Sequence, residues 1–307
     1  MVPSLKPALS YEQQLDLLES RGMVISDREA ALSALQSSNY YRISGYAFEF
    51  KTPGTENYEP GTEFAVVMAL YELDSHLRNI LLRYLEEIEI SVRTRIAYFF
   101  SHEYGPYGHY MPWNFASEND FSEFEISCAN AVNKNKNVQF IQHHIRKYST
   151  PTHCNIHLWA LVEILSFSTI SKFYSAIAPT VQRKIATAFN SDPSYLSNQI
   201  HCMANLRNIC AHYGRLYNRP LFPAVRLSPS VYRNYHRFFS ADVATTYLFG
   251  YLLAMKNLLP FPSFNRMFFE IDALLDNYYS IVNLNHLGFP AEWREYLDLC
   301  FGIKTGV

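Results

Sequence analysis

Between Glu63 and Tyr104, apolar side chains return every three or four residues, through Leu77, Leu81, Tyr84, Ile88, Val92, Ile96 and Phe99. That period traces one face of a helix and predicts a stripe turned toward a core. The run predicts one long helix, or two joined at a kink, stopping at Gly105-Pro106. Upstream, Ser10-Tyr-Glu-Gln13 and Ser26-Asp-Arg-Glu29 both have the spacing of a capping box, with Gly22 as a stop between them. They predict two short helices over about 10–21 and 27–37. Residues 38–51 are dense in aromatics, and 53–62 read as a loop from their Pro, Gly and Asn content.

After a loop over 105–114, a polar helix is expected over 118–148, with a break at 133–137. An apolar helix over 155–177 carries Trp159, Val162, Leu165 and Ile170; a short one over 180–190 and another over 193–213 follow. A proline-rich loop, 220–230, leads to terminal helices within 231–256, 264–282 and 290–300. There is no repeat, no sustained heptad and no strand–helix alternation. The expected fold is all-α. Residues 1–60 form an N-terminal helical segment, 61–220 a core, and 221–307 a C-terminal helical extension packed on it.

Composition narrows this picture. With 49% hydrophobic and 16% aromatic residues the chain is not disordered, and 11 glycines in 307 residues suit helices better than a turn-rich sandwich. The five cysteines form no CxxC pair and read as free thiols of a reducing compartment. MVPSLKPALS has no signal-like apolar core, and the most apolar run, 245–255, is about half a membrane span. The expectation is a cytoplasmic protein with no membrane partner.

The net charge of −2 conceals a separation. Residues 1–125 hold 19 acids against 9 Lys and Arg, whereas 126–241 hold 2 against 13. From 193 to 241 there are six arginines, three histidines and no acid. Either a polyanion-binding surface is framed by acidic flanks, or the acidic first segment packs on the basic middle and neutralises it.

The basic region is densest in RNICAHYGRLYNR, residues 207–219. On a helix Asn208 and His212 share a face, while Arg207 and His212 stand about 140° apart. Gly214 fits a helix stop, which puts His212 in the last turn, where the dipole favours a cation. Arginine supplies fixed charge and forked donors for phosphate oxygens, and imidazole moves protons near neutral pH. These groups suffice for metal-free RNA cleavage. A base takes the ribose 2′-OH proton, the oxygen attacks phosphorus, and arginine stabilises the growing charge.

Arg207-Asn-Ile-Cys-Ala-His212 resembles the R-x4-H motif of the HEPN superfamily, including the polar residue after the arginine. The likeness is longer than the motif. LKPALSYEQQLDLLESRGM (5–23), NYYRISGY (39–46), YELDSHLRNILL with EEIEISVRTRIAY (71–98), LWALVEILSFSTISKFY (158–174) and LRNICAHYGRLYNR (206–219) resemble, in order, the Abi family of abortive-infection proteins, AbiD/AbiF type. The resemblance implies a HEPN-type helical bundle and a ribonuclease-like effector of phage defence that uses no cofactor or metal. HEPN nucleases build one site from two R-x4-H motifs. The single copy here implies a homodimer with residues 207–212 of both subunits facing each other. RNA is the implied target, and a structured noncoding RNA a further partner. Two positions depart from relatives: Tyr213, where a second His is frequent, and Ser168, where Gly is frequent.

Arg207, Asn208 and His212 are therefore the candidate catalytic residues. Arg215, Asn218 and Arg219 are candidate phosphate contacts or loop anchors, and Tyr213 and Tyr217 candidate stacking or core residues. Glu163, in an apolar stretch, is expected to need a partner, either Arg207 or an unrelated structural arginine. Arg95 and His102 form an R-x6-H decoy, followed by Ile96 instead of a polar residue. His143, His144, His153, Cys154 and His157 match no common zinc spacing and read as a basic, RNA-facing stretch. The alternatives to a nuclease are a catalytically silent RNA-binding protein of a defence or toxin–antitoxin system, and a nucleotide-binding module regulating a toxin.

Overall fold

The computed structural model describes residues 7–149 and 155–303. Among them the backbone forms α-helices, short 3-10 turns and isolated bridges, with no sheet, so the chain is all-α. The helices are α1 (Tyr11–Ser20), α2 (Arg28–Ser37), α3 (Tyr40–Ala47), α4 (Phe64–Tyr104), α5 (Glu118–Lys134), α6 (Gln139–Tyr148) and α7 (Leu158–Leu161). They continue as α8 (Phe167–Ala176), α9 (Pro179–Ala188), α10 (Pro193–Ala211), α11 (Pro229–Phe239), α12 (Leu248–Ala254), α13 (Phe261–Asn277) and α14 (Trp293–Phe301).

Local chemistry sets the ends. Ser10 and Gln13 close a reciprocal capping box on α1, with contacts of 2.8 and 3.3 Å. On α2 the cap is Asp27 and not Ser26: its carboxylate accepts from the Ala30 amide at 2.9 Å. The aromatic stretch after α2 forms α3, capped by Asn39. The expected helix over 155–177 is two helices, because the Ser166 hydroxyl accepts from the Thr169 amide at 3.1 Å and starts α8 afresh. The helix expected within 231–256 is also two. Ser240 turns left-handed (φ +51°) to end α11. The carbonyls of Thr245 and Thr246 then accept from Val225 and Leu221, which ties 240–247 to the proline-rich loop.

α4 is 41 residues long and unbroken, about 60 Å from end to end. Its stripe is fully buried: Leu70, Leu73, Leu77, Leu81, Leu85, Ile88, Val92 and Ile96 are at most 1% exposed. The last position belongs to Phe100, fully buried, while Phe99 is only partly so. α3, α8, α9, α10 and α13 all pack on this axis, and one buried cluster joins residues from Leu15 to Ile303. No helix among the described residues is long and apolar enough to cross a membrane.

Candidate functional site

α10 delivers Arg207 and Asn208 on its last turns, and His212 is its C-terminal cap. The chain then leaves the helix through a Schellman motif. The Tyr213 amide donates to the Cys210 carbonyl at 3.2 Å and the Gly214 amide to the Ile209 carbonyl at 2.7 Å. The left-handed residue is Tyr213 (φ +59°), one position before the expected stop. Gly214 is needed for a different reason: a Cβ there would stand 2.9 Å from the Ile209 side chain and 3.1 Å from its carbonyl oxygen.

The arginine is oriented from two sides. Its Nε lies 3.3 Å from Glu89 Oε2, and Nη1 donates to Asn208 Oδ1 at 3.2 Å. Asn208 Nδ2 in turn donates to Ser168 Oγ at 3.1 Å, which ties the motif to α8. Glu89 is buried and also pairs with Arg93, whose guanidinium donates to the Val162 carbonyl. Arg207 itself remains 38% exposed, and among the described residues its Nη2 has no partner. It borders an open cleft of about 620 Å³ with Glu86, Ile90 and Arg93 of α4, Glu163 and Ala211. His212 is exposed, and its ring makes no hydrogen bond among the described residues. Cys210, between them, is buried, and burial pushes its thiol up to about 12, so it is no nucleophile.

The second half of the basic stretch is built differently. Asp74, fully buried on α4, accepts from the amides of Leu216 and Tyr217 at 3.1 and 2.8 Å and from the Tyr46 hydroxyl at 2.6 Å. Arg78 pairs with the same carboxylate and reaches the Gly214 carbonyl at 3.4 Å. Arg215 donates to the Gly45 carbonyl and lies over the Tyr46 ring, so it anchors the loop to α3. Tyr217 is 1% exposed. Burial raises its phenol well above the ordinary value, and its oxygen accepts from the Asn283 amide at 3.0 Å. It is a core residue and not a stacking platform. Asn218 is left-handed (φ +49°) and donates its amide to His286 at 3.1 Å. Tyr213 is 69% exposed, its carbonyl held by Arg42 at 2.5 Å, and Arg219 is exposed.

Glu163 differs from expectation. The helix that was to bury it ends at Leu161, so Glu163 sits in a turn, exposed, on the wall of the cleft. Glu89 holds the arginine instead. A carboxylate inside the apolar stripe of α4, four residues from Arg93, was the signal for that role; Asp74 and Arg78 repeat it one segment earlier. The charge separation is partly neutralised within the fold, through Lys184–Glu103 at 2.5 Å and Arg207–Glu89. Arg95 is half-buried over the Phe189 ring, away from the cleft lined by Arg207. His153 and Cys154 lie outside the described residues. Among those described, no group of three or more His, Cys, Asp or Glu is placed to hold a metal ion.

The chain is an all-α protein that holds an arginine at the wall of an open cleft and an exposed imidazole at the cap of the same helix. The chain matches the family model described as Abi-like protein over residues 33–218, more than half its length, and it belongs to that family. No curated protein and no solved structure matches it.

Proposed function

We propose that this protein is an abortive-infection effector that cleaves RNA without a metal, through 2′-OH attack, at a HEPN-type site. Arg207 binds the scissile phosphate and stabilises the charge gained as the 2′-oxygen attacks; His212 moves the proton; Asn208 aligns the arginine. One observation carries this reading. Arg207 is oriented by Glu89 and Asn208 with a donor left over among the described residues, while His212, at the cap of the same helix, is exposed and makes no hydrogen bond among them.

The homodimer belongs to the same proposal. Arg207 and His212 leave the helix about 140° apart. Two copies meeting at residues 207–212 set the arginine of one subunit beside the histidine of the other. Tyr213 and Arg219, both exposed, are placed to meet the RNA beyond the cut, and a structured noncoding RNA is the second proposed partner. The site would operate in the cytoplasm, where RNA targets are found.

The test is incubation of the purified protein with single-stranded RNA in EDTA. Cleavage should fall by at least about 100-fold in both Arg207→Ala and His212→Ala. The His212→Ala protein should keep its stability within about 0.5 kcal/mol, as an exposed position does. RNA that stays intact but still shifts in a gel supports the silent RNA-binding reading. Neither cutting nor binding leaves the nucleotide-regulated module.

A further inference from the structure

Trp159 is 50% exposed, yet its indole is held flat. It forms the outer end of a three-ring stack. Its centroid lies 4.6 Å from that of His157 with planes 12° apart, and His157 stacks on Tyr107 at 4.9 Å. The Tyr107 hydroxyl is 3.1 Å from His157 Nε2, and Tyr148 packs edge-on against the imidazole at 4.5 Å. Trp159 also borders a mostly apolar cavity of about 420 Å³, together with Ala97, Tyr98, His102, Val162 and Glu163. Tyr98, on the opposite wall, is 55% exposed. Glu163 lines this cavity and the Arg207 cleft alike, so the two adjoin along α4.

We propose that the Trp159–Tyr98 cavity takes an unpaired nucleobase of a single-stranded RNA whose backbone continues to Arg207. This rests on the RNA reading of the Arg207 site and adds the part of the substrate that the site grips. The indole is ordered before anything binds, so stacking a base on it costs little further entropy. The cavity has the scale of a small-molecule pocket and suits a planar heterocycle. Its polarity fits too. Glu163 at the junction accepts from a base imino or amino group, while Arg207 beyond it meets phosphate. Lys147 Nζ lies 5.1 Å from the centre of the Tyr148 ring, which packs on His157, and so brings a cation near the stack for a neighbouring phosphate.

The test uses the His212→Ala protein, so that RNA stays whole. A single-stranded oligoribonucleotide carrying 2-aminopurine is titrated with it, and base fluorescence is followed beside affinity and light-scattering mass. The expected result is quenching on binding and affinity about ten- to a hundredfold weaker in Trp159→Ala. Trp159→Phe should recover most of it, and Tyr98→Ala should weaken it without touching the stack. Three results would overturn the proposal. One is wild-type affinity in both alanine variants, and another is equal quenching of free 2-aminopurine ribonucleoside monophosphate. The third is loss of dimer mass in Trp159→Ala at unchanged RNA affinity, which would make the face the seat of a second copy. RNA that stacks on Trp159 in a protein whose wild type never cuts keeps this site and removes the nuclease reading. Cutting that ignores Trp159 does the reverse.

Discussion

Thirteen residues, 207–219, hold two basic, polar regions of opposite construction. Before Gly214, Arg207 keeps a donor with no partner among the described residues, and His212 faces solvent. After it, Arg215 is tied to Gly45, Tyr217 to Asn283, and the backbone of Leu216 and Tyr217 to the Asp74–Arg78 pair. A basic, polar sequence therefore does not by itself mark a ligand surface. What separates the halves is what the acceptor on α4 holds: Glu89 takes one edge of the Arg207 side chain, whereas the second half is fixed by its backbone, through the Leu216 and Tyr217 amides held by Asp74.

The largest expected effect follows from removing it. Asp74→Ala leaves Arg78 buried without its partner and two amides unsatisfied, and should cost about 3–5 kcal/mol in urea unfolding. Loss of RNA cleavage in that variant should track loss of fold, because the Schellman turn before Gly214 holds itself through Ile209 and Cys210. A loss below about 1 kcal/mol would show that the second half is not held as described.

That dependence on α4 also explains what could be read in advance. The stripe from Leu77 to Ile96, the stop at Gly105 and the capping box at Ser10 are local signals, and each appears where the sequence places it. Arg207, Asn208 and His212 could be proposed from the resemblance of residues 207–212 to a known motif, and the fold puts them at the last turns and cap of α10. The partners could not, because they lie far away in sequence: Glu89 is more than a hundred residues from Arg207, and Asp74 from Tyr217. Glu163 was misplaced because α7 stops at Leu161 and α8 starts afresh at Ser166, which leaves Glu163 in the turn between them. Tyr217 stayed open between core and stacking for want of the C-terminal segment, whose Asn283 and His286 bond to its hydroxyl.

Tyr217→Phe sharpens the same contrast at smaller scale. Deleting the hydroxyl strands the Asn283 amide and should cost about 1–2 kcal/mol. Affinity for RNA should not move once the protein is folded, since the ring is 1% exposed. An RNA affinity that falls with stability unchanged would return Tyr217 to the binding surface.

The smallest effect lies at the boundary between the halves. Tyr213 holds a left-handed conformation that a bulky side chain adopts at a cost of about 1–2 kcal/mol, and that Asn or Gly tolerates better. Tyr213→Asn should therefore stabilise the protein by about 0.5 kcal/mol, because the ring is exposed and little packing is lost. Strain kept at an exposed ring beside Arg207 and His212 points to a use for that ring. The variant should bind single-stranded RNA several-fold more weakly, while Tyr213→Phe keeps both the strain and the affinity. A Tyr213→Asn protein that is more stable and binds RNA as the wild type does would place the boundary of the functional half at His212, one residue earlier.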